Sequence, residues 1–484
     1  MSTLASTPFH EGCAICGTHH TVSLDNELIE AARSRDLVIF AGAGISTEAP
    51  GRFPETFYEE IEAQLRDAPS GDPFPDVMQE FERRFGRKRL VGSMLERIEY
   101  VSTFLSLQRR TTAFHEEIAT ISQLDAIFTT NWDDFFERFS GARPFVLDED
   151  FAFFALPGRR VMKVHGSVSN LSTLVATADD YARRESDLAG SVMGAKLREF
   201  LSTKVIVFVG FSLTDSDFLS IYWSVIERMG AFRPRAYVVT PVDSPTATAF
   251  GLKHLKTDGG HFAHQLKARL QESGDHIPDS RLDRAAWFQQ VVLSAHTPSA
   301  LLLEKPNNFA VFTQAYQDGL LAALGRVGLM RHKGAYSEPR AVSDIVHTYG
   351  HLFDKAIGLR RYFDASYIEG YMAATKSLLL SDDDALKLPI VQAFACPSYR
   401  KTKRDAHDEV DFPWWIQSPH GAIGSYLEQG DTLGRVPTEW LVDLDERSRT
   451  LARRTPGLVA ENASMLRGLK PGQIPQHSEF LDGI

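Results

Sequence analysis

Short apolar runs recur along the first half of the chain, each ending in or running into Gly, Thr, Asn or His. They are Leu37–Ala41, residues 126–130, residues 161–164, residues 205–210 and residues 236–240. None alternates apolar with polar positions, as a strand with one wet face would. Continuous runs rich in β-branched and aromatic residues are the pattern of strands buried on both faces. Longer stretches with helical spacing separate the runs, so the pattern predicts an α/β fold, a Rossmann-like doubly wound parallel sheet. Between the first two runs, residues 50–123 include "FYEEIEAQL" and "MLERIEYVSTFLSL", whose apolar residues recur at helical spacing. This segment is expected to form a helical insertion that caps the sheet.

The alternation fades after "ESGDHIPDS", residues 272–280, where Gly, Pro and polar residues gather. The main domain boundary is expected between there and about residue 300, which makes residues 30–285 one domain. Beyond it Phe309, Phe312, Tyr316, Leu320 and Leu324 recur at helical intervals, and residues 286–468 read as a mostly helical domain for regulation or assembly. Residues 469–484 carry Pro471, Gly472 and Pro475 and read as an extended tail, and residues 1–29 as an N-terminal extension. The aromatic cluster "FPWW", residues 412–415, suits a core cluster better than a contact surface.

Composition narrows the function classes. With 484 residues, 43% hydrophobic and 24% charged, the chain is of ordinary globular composition and long enough for two or three domains. A net charge of −11 argues against nonspecific nucleic-acid binding by the whole surface, and no direct nucleic-acid partner is expected. The basic run "RRFGRKR", residues 83–89, reads as a solvated face between helices. No stretch approaches the ~20 apolar residues of a membrane helix, and the start lacks the pattern of a signal peptide. A soluble, cytoplasmic protein is expected.

Three cysteines, Cys13, Cys16 and Cys396, are too few for a disulfide framework in a chain of this size. Cys13 and Cys16 have zinc-knuckle spacing, with His10, His19 and His20 close by, but no second cysteine pair completes a tetrahedral set. A structural zinc, two reduced thiols and a redox pair all stay open.

Candidate chemistry sits where the runs end. "GAGIST", from Gly42 to Thr47, leaves the first run with glycines that let backbone approach a pyrophosphate, but Thr47 stands where a dinucleotide fingerprint has its third glycine. In an open α/β sheet the ligand lies beyond the carboxyl ends of the strands, so the other exits matter. The second leads into Thr130, Asn131 and Asp133, the third into His165 and Gly166, the fourth into Gly210, Ser212 and Asp215. Singly, Asn131, Ser212 and Asp215 suit turns or helix caps and His165 a satisfied core histidine. Four polar or glycine-rich exits together describe one crevice.

"GAGIS", "TTNWD", "HGS" and "GFSL", in this order at these exits, resemble the sirtuin family. They look most like its bacterial branch in anti-phage defence, where "HGS" is followed by a T-x-D-D-Y element, here "TADDY" at residues 177–181. The resemblance covers about residues 30–260. It implies that Gly42, Ala43, Gly44 and Ser46 hold the pyrophosphate of NAD, with Thr130 beside them. Asn131 and Asp133 would lie near the nicotinamide and its ribose, His165 would be catalytic, and Gly210, Ser212 and Asp215 would face the adenosine half. Two departures stand out. Deacylating sirtuins carry a four-cysteine zinc module after the catalytic histidine, whereas no cysteine lies between Cys16 and Cys396 here. Their loop after the glycine motif also holds an acidic residue that "APGRFPE" lacks, leaving Arg52 and Phe53 without assigned roles.

The reaction implied is cleavage of the bond between nicotinamide and ribose. Nicotinamide leaves as a neutral molecule from a cationic precursor, so the carboxylate pair of ordinary glycoside hydrolysis is not needed. Asn131 suits a water or ribose hydroxyl, Asp133 supplies negative charge, and His165, ordinarily titrating near ~6.5, accepts a proton. The expected function is an NAD glycohydrolase that produces nicotinamide and ADP-ribose as an effector of abortive anti-phage defence. An NAD-dependent deacylase, or a non-catalytic module that binds NAD or ADP-ribose, is the alternative. The resemblance further implies restraint by homo-oligomeric assembly or by a partner such as a HerA-type ATPase or a short Argonaute. Thoeris-type relatives sense a cyclic nucleotide through C-terminal glycine-rich loops, and no such loops follow residue 300.

Overall fold

The computed structural model describes residues 22–66, 71–213, 215–302, 309–359 and 362–385. Among them seven strands form one parallel sheet: β1 (Leu37–Ala41), β2 (Ala126–Thr129), β3 (Arg143–Phe145), β4 (Arg160–Lys163), β5 (Val205–Val209), β6 (Ala236–Val239) and β7 (Lys253–Leu255). Their order is β3-β4-β2-β1-β5-β6-β7. The chain builds outward from β1 on one side, then returns to pair β5 with the other side of β1. Strand order therefore reverses between β1 and β5, the switch point at which such sheets open a ligand crevice.

β1 is buried along its whole length. Ile39 and Ala41 pack on one face of the sheet with Ile127 and Val207, while Val38 and Phe40 pack on the other with Phe128 and Phe208. This division explains the unbroken apolar run: each face needs every second residue, and both faces are covered. The Phe40 ring lies 4.8 Å from that of Phe211 and 4.7 Å from that of Phe218. A buried phenylalanine contributes about 2–3 kcal/mol, so this cluster anchors the centre of the sheet.

All five runs read as strands are strands. β3 and β7 escaped the pattern because they are three residues long, only one residue of each is buried, and both lie at the sheet edges. Pro144 sits in β3 because an edge strand has one side that needs no amide donor.

The insertion forms helices over Phe57–Leu65, Phe74–Phe85, Arg87–Thr103 and Leu105–Thr120. Thr56 caps the first through a reciprocal pair with Glu59. Phe57, Ile61, Val77, Phe81, Leu90 and Met94 give the insertion its own core. The helical spacing through residues 94–107 conceals a break, for Phe104 is extended and separates two helices. The basic run is also less uniform than a solvated face. Arg87 is partly buried, donating to Glu82, to Asp180 and to the carbonyl of Leu174, and Arg84 donates to the carbonyl of Leu65.

The chain divides into two compact units. One runs to Asp275 and includes His332–Gly334, and the other takes His276–Arg331 and Ala335 onward. The described part of the second unit is helical, with long helices over Asp279–Leu302, Phe309–Met330, Pro339–Gly358 and Tyr362–Ser377. Its core gathers Trp287, Phe288, Tyr316, Leu320, Leu324 and Tyr371. Two of these helices cross with backbones nearly touching, since a Cβ at Gly319 would lie 1.9 Å from the Tyr367 carbonyl oxygen. No described helix is long and apolar enough to cross a membrane. Cys13, Cys16, residues 412–415 and the tail lie outside the described residues.

A buried ion cluster ties the insertion to the sheet domain. Glu117 accepts from Lys267 at 3.2 Å and pairs with His264 at 3.3 Å. Burial works to raise this carboxyl, but the hydrogen bond from His264 and the charge of Lys267 outweigh it and hold it at about 2. Because the folded value lies below the unfolded one near ~4.5, the stabilisation is present above that pH and disappears as pH falls toward about 2. Glu117→Gln is expected to cost about 3 kcal/mol at neutral pH. Urea unfolding of both proteins as pH is lowered from about 7 should show the gap narrowing below ~4.5.

Candidate active site

Beyond β1 the chain enters Gly42 and a single 3-10 turn over Ala43–Ile45, with no long helix directly following. The Gly42 amide donates to the Val209 carbonyl at 3.0 Å and the Gly44 amide to the Gly210 carbonyl at 2.9 Å. A Cβ at Gly42 would fall 2.5 Å from the Gly210 oxygen, and one at Gly210 would fall 2.6 Å from the Gly44 carbonyl carbon. Gly210 also has a φ of +57°, a conformation that L side chains resist. These glycines allow the exits of β1 and β5 to touch. The amides of Gly42 and Gly44, expected to face a pyrophosphate, are committed to that contact.

A cleft of about 880 Å³ opens beside it. Its walls bring together every site residue picked from the sequence within the described residues: Gly42, Ala43, Gly44, Ser46, Thr130, Asn131, Asp133, His165, Gly210, Ser212 and Asp215. Among the described residues no group of three or more His, Cys, Asp or Glu is arranged to hold a metal ion.

Three of the side chains form a buried chain of hydrogen bonds. Asn131 Nδ2 donates to Ser46 Oγ at 3.2 Å, and Ser46 Oγ donates to Asp133 Oδ2 at 3.3 Å. Asp133 Oδ1 accepts from the amide of Phe135, the first residue of the short helix Phe135–Ser140, at 3.1 Å. Burial raises the Asp133 carboxyl above its ordinary value, against the lowering charge of Lys163. With both oxygens engaged, Asp133 orients Ser46, which in turn orients Asn131. The Asn131 Oδ1 atom is buried in the cleft wall and has no hydrogen-bond partner among the described residues. An unmet buried acceptor costs about 1–3 kcal/mol, and the fold keeps one here.

His165, 2% exposed, follows β4. Gly166 behind it has φ +80°, and a Cβ there would lie 2.1 Å from the Thr173 carbonyl oxygen. That tight turn aims the imidazole at the cleft, where its ring meets the edge of Tyr181 at 4.9 Å. The Tyr181 hydroxyl lies 3.4 Å from Asp215 Oδ1, linking the exits of β4 and β5. "TADDY" thus has a structural explanation. Thr177 and Asp180 form the capping box of the Ala178–Gly190 helix, Asp180 holds Arg87, and Tyr181 is delivered to the cleft.

The insertion supplies the opposite wall through Thr56, Phe57, Tyr58, Phe74, Met94 and Arg97. Arg97 is buried and donates to Glu48, to Glu60 and to the Glu55 carbonyl, while its guanidinium stacks 4.0 Å from the centre of the Phe53 ring. Phe53 therefore serves as a platform for Arg97. Glu48 also accepts from the Phe57 amide at 2.8 Å, joining the glycine loop to the insertion. Trp132 stands edge-on to Phe57 at 5.9 Å and donates to the Val175 carbonyl at 3.1 Å. Sequence spacing had no means of pairing Glu48 with Arg97, which lie in separate elements.

Residues 125–258 match the SIR2-like domain family. Defense-associated sirtuin 2 of Bacillus subtilis is 23% identical over 255 residues, covering 49% of this chain and 24% of that protein. The chain thus matches about a quarter of the length of this curated relative. Solved structures similar to part of the chain include a Sir2 homologue in complex with NAD, 16% identical over 53% of this chain and 97% of that one, with a TM-score of 0.33. Another is a Sir2 homologue variant in complex with ADP-ribose, 17% identical over 52% and 98%, with a TM-score of 0.32. Residues 125–258 are thus similar to the SIR2-like domain family, and this span holds the "TTNWD", "HGS" and "GFSL" motifs.

The loop contact is open to direct test. Gly210→Ala is expected to lower stability by about 1–3 kcal/mol, from strain at positive φ and the clash with the glycine loop. Gly190→Ala, where a Cβ meets open space, should stay within about 0.5 kcal/mol of the parent. Thermal unfolding of both variants gives the comparison.

Proposed function

We propose that this chain is an NAD glycohydrolase that releases nicotinamide and ADP-ribose with water as acceptor. The observation that carries the reading is the Asn131 Oδ1 atom, a buried acceptor kept without a partner at the cleft wall while Nδ2 is fixed by Ser46. Such an atom suits a hydroxyl or water brought by a ligand. The touching glycine loops suit a pyrophosphate, because the surface they present at the switch point is bare backbone.

In this reading Asn131 Oδ1 accepts from a ribose hydroxyl or the attacking water. His165, held by the Gly166 turn and the Tyr181 edge, takes up the proton released there. Asp133 acts through Ser46 as a positioning residue. Gly42, Ala43 and Gly44 flank the pyrophosphate, Thr130 stands at the exit of β2, and Gly210, Ser212 and Asp215 border the adenosine half. The insertion closes the cleft with Phe57 and Phe74, which pack against Trp132 of the β2 exit, keeping bulk water out and strengthening each polar contact inside. Deacylation is disfavoured by the absence of any cysteine between Cys16 and Cys396, which removes the module that shapes an acyl-peptide groove.

The name of the curated relative supports a role in defence, in which hydrolysis of NAD in the cytoplasm arrests an infected cell. Such an enzyme requires restraint. The helical unit beyond Asp275 is the part of the chain we assign to it, through self-assembly or through a partner such as a HerA-type ATPase or a short Argonaute.

Purified protein incubated with NAD should give nicotinamide and ADP-ribose in the absence of acetyl-lysine peptide, read by chromatography. Asn131→Ala and His165→Ala should each lower the rate at least about 100-fold while remaining folded. Acetylated ADP-ribose formed only with peptide would refute hydrolysis in favour of deacylation.

A further inference from the structure

Below the Asn131 loop lies a lysine that the proposed chemistry does not use. Lys163, the last residue of β4, is 0% exposed. It stands beside Thr129 in the parallel ladder, two residues before His165 in the chain. Its Nζ donates to the Asp133 carbonyl, lies 3.4 Å from the Trp132 carbonyl oxygen and reaches Glu137 Oε1 at 3.1 Å. Glu137 belongs to the helix Phe135–Ser140 that immediately follows the loop. One ammonium group therefore gathers two consecutive loop carbonyls and the helix behind them.

A buried ion pair is a poor source of stability, because the cost of removing two charges from water offsets most of their attraction. An apolar residue of similar length would fill the space at less cost. What it would not provide is a donor to the Asp133 carbonyl. The loop is also held at Trp132, whose carbonyl accepts from the Val168 amide at 2.9 Å and whose indole donates to the Val175 carbonyl at 3.1 Å. Asn131 is held from the opposite side by Ser46, and its amide donates to Thr129 Oγ1 at 3.0 Å.

We propose that Lys163 is a positioning residue that fixes the Asn131–Asp133 turn relative to His165, holding Asn131 Oδ1 at the cleft wall. Lys163 lies on the strand that leads to His165 and grips the loop that bears Asn131. A shift of one group against the other is opposed by its contacts to the Asp133 and Trp132 carbonyls. The kinetic part of the inference rests on the reading of the site as an NAD glycohydrolase, and the structural part does not.

The test uses the full chain with Lys163→Met, and the double variant Lys163→Met/Glu137→Gln, which leaves no unpaired carboxylate if the single variant fails to fold. Two quantities are read: kcat and KM for NAD, and hydrogen–deuterium exchange across residues 130–136 compared with β1 and β5. The expected result is a fall in kcat of about 10- to 100-fold with KM changed less than about threefold. Exchange should rise within residues 130–136 and stay unchanged in β1 and β5. An unaltered kcat, a loss confined to KM, or exchange rising equally throughout the sheet would overturn the proposal. If the parent protein cleaves no NAD, the glycohydrolase reading fails separately and exchange alone decides. Faster exchange confined to the loop supports the positioning role, and unchanged exchange there overturns it.

Discussion

The contact between the exits of β1 and β5 is the constraint on which the rest of the site depends. Gly42 and Gly44 bond to the carbonyls of Val209 and Gly210 at distances that exclude a Cβ on either side. Because strand order reverses at this point, the two loops would otherwise diverge and leave a wide crevice. Locked together, they set where Ser46 stands, and Ser46 is what Asn131 and Asp133 bond to from the neighbouring strand. The geometry of the polar centre is thus inherited from a contact between bare backbones.

From that contact outward, the site is a succession of strand ends held by buried polar atoms. Ser46 comes from the exit of β1, Asn131 and Asp133 from β2, His165 from β4 and Asp215 from β5. Each polar atom taken out of water must find a partner or incur a penalty, and those of Ser46, Asp133 and Lys163 find theirs. The raised Asp133 carboxyl, the buried Lys163 and the unmet Asn131 Oδ1 mark where the fold gives up stability. Such concentrations of strain and desolvation are ordinary at sites of chemistry, where they are offset by packing elsewhere, here by the phenylalanine cluster around Phe40.

Local pattern carried much of this. A strand buried on both faces needs an unbroken apolar run, so the five central strands were visible, whereas β3 and β7 are too short and too exposed to leave a pattern. The residues that face the cleft were visible for a related reason: a parallel strand must exit at its carboxyl end, so polar residues following an apolar run share one rim. Lys163, Glu48, Arg97 and Tyr181 were not marked out in this way. "VMKV" reads as a strand whatever its lysine does, and an Arg in an amphipathic helix reads as its wet face, until the opposing element is in place.

By itself the sequence determined the five central strands, the helical character of the insertion and of the described part of the second unit, and the set of residues at the strand ends. These follow from periodicity and from the conformational freedom of glycine, which are properties of a segment and its neighbours. Only the tertiary structure decided how that set is wired. It spent the amides of Gly42 and Gly44 on the β5 loop, turned Asp133 toward Ser46, placed Lys163 under the Asn131 loop and closed the cleft with the insertion. Hydrogen bonding and burial depend on which distant groups meet, and in a parallel sheet those groups lie tens of residues apart in the chain.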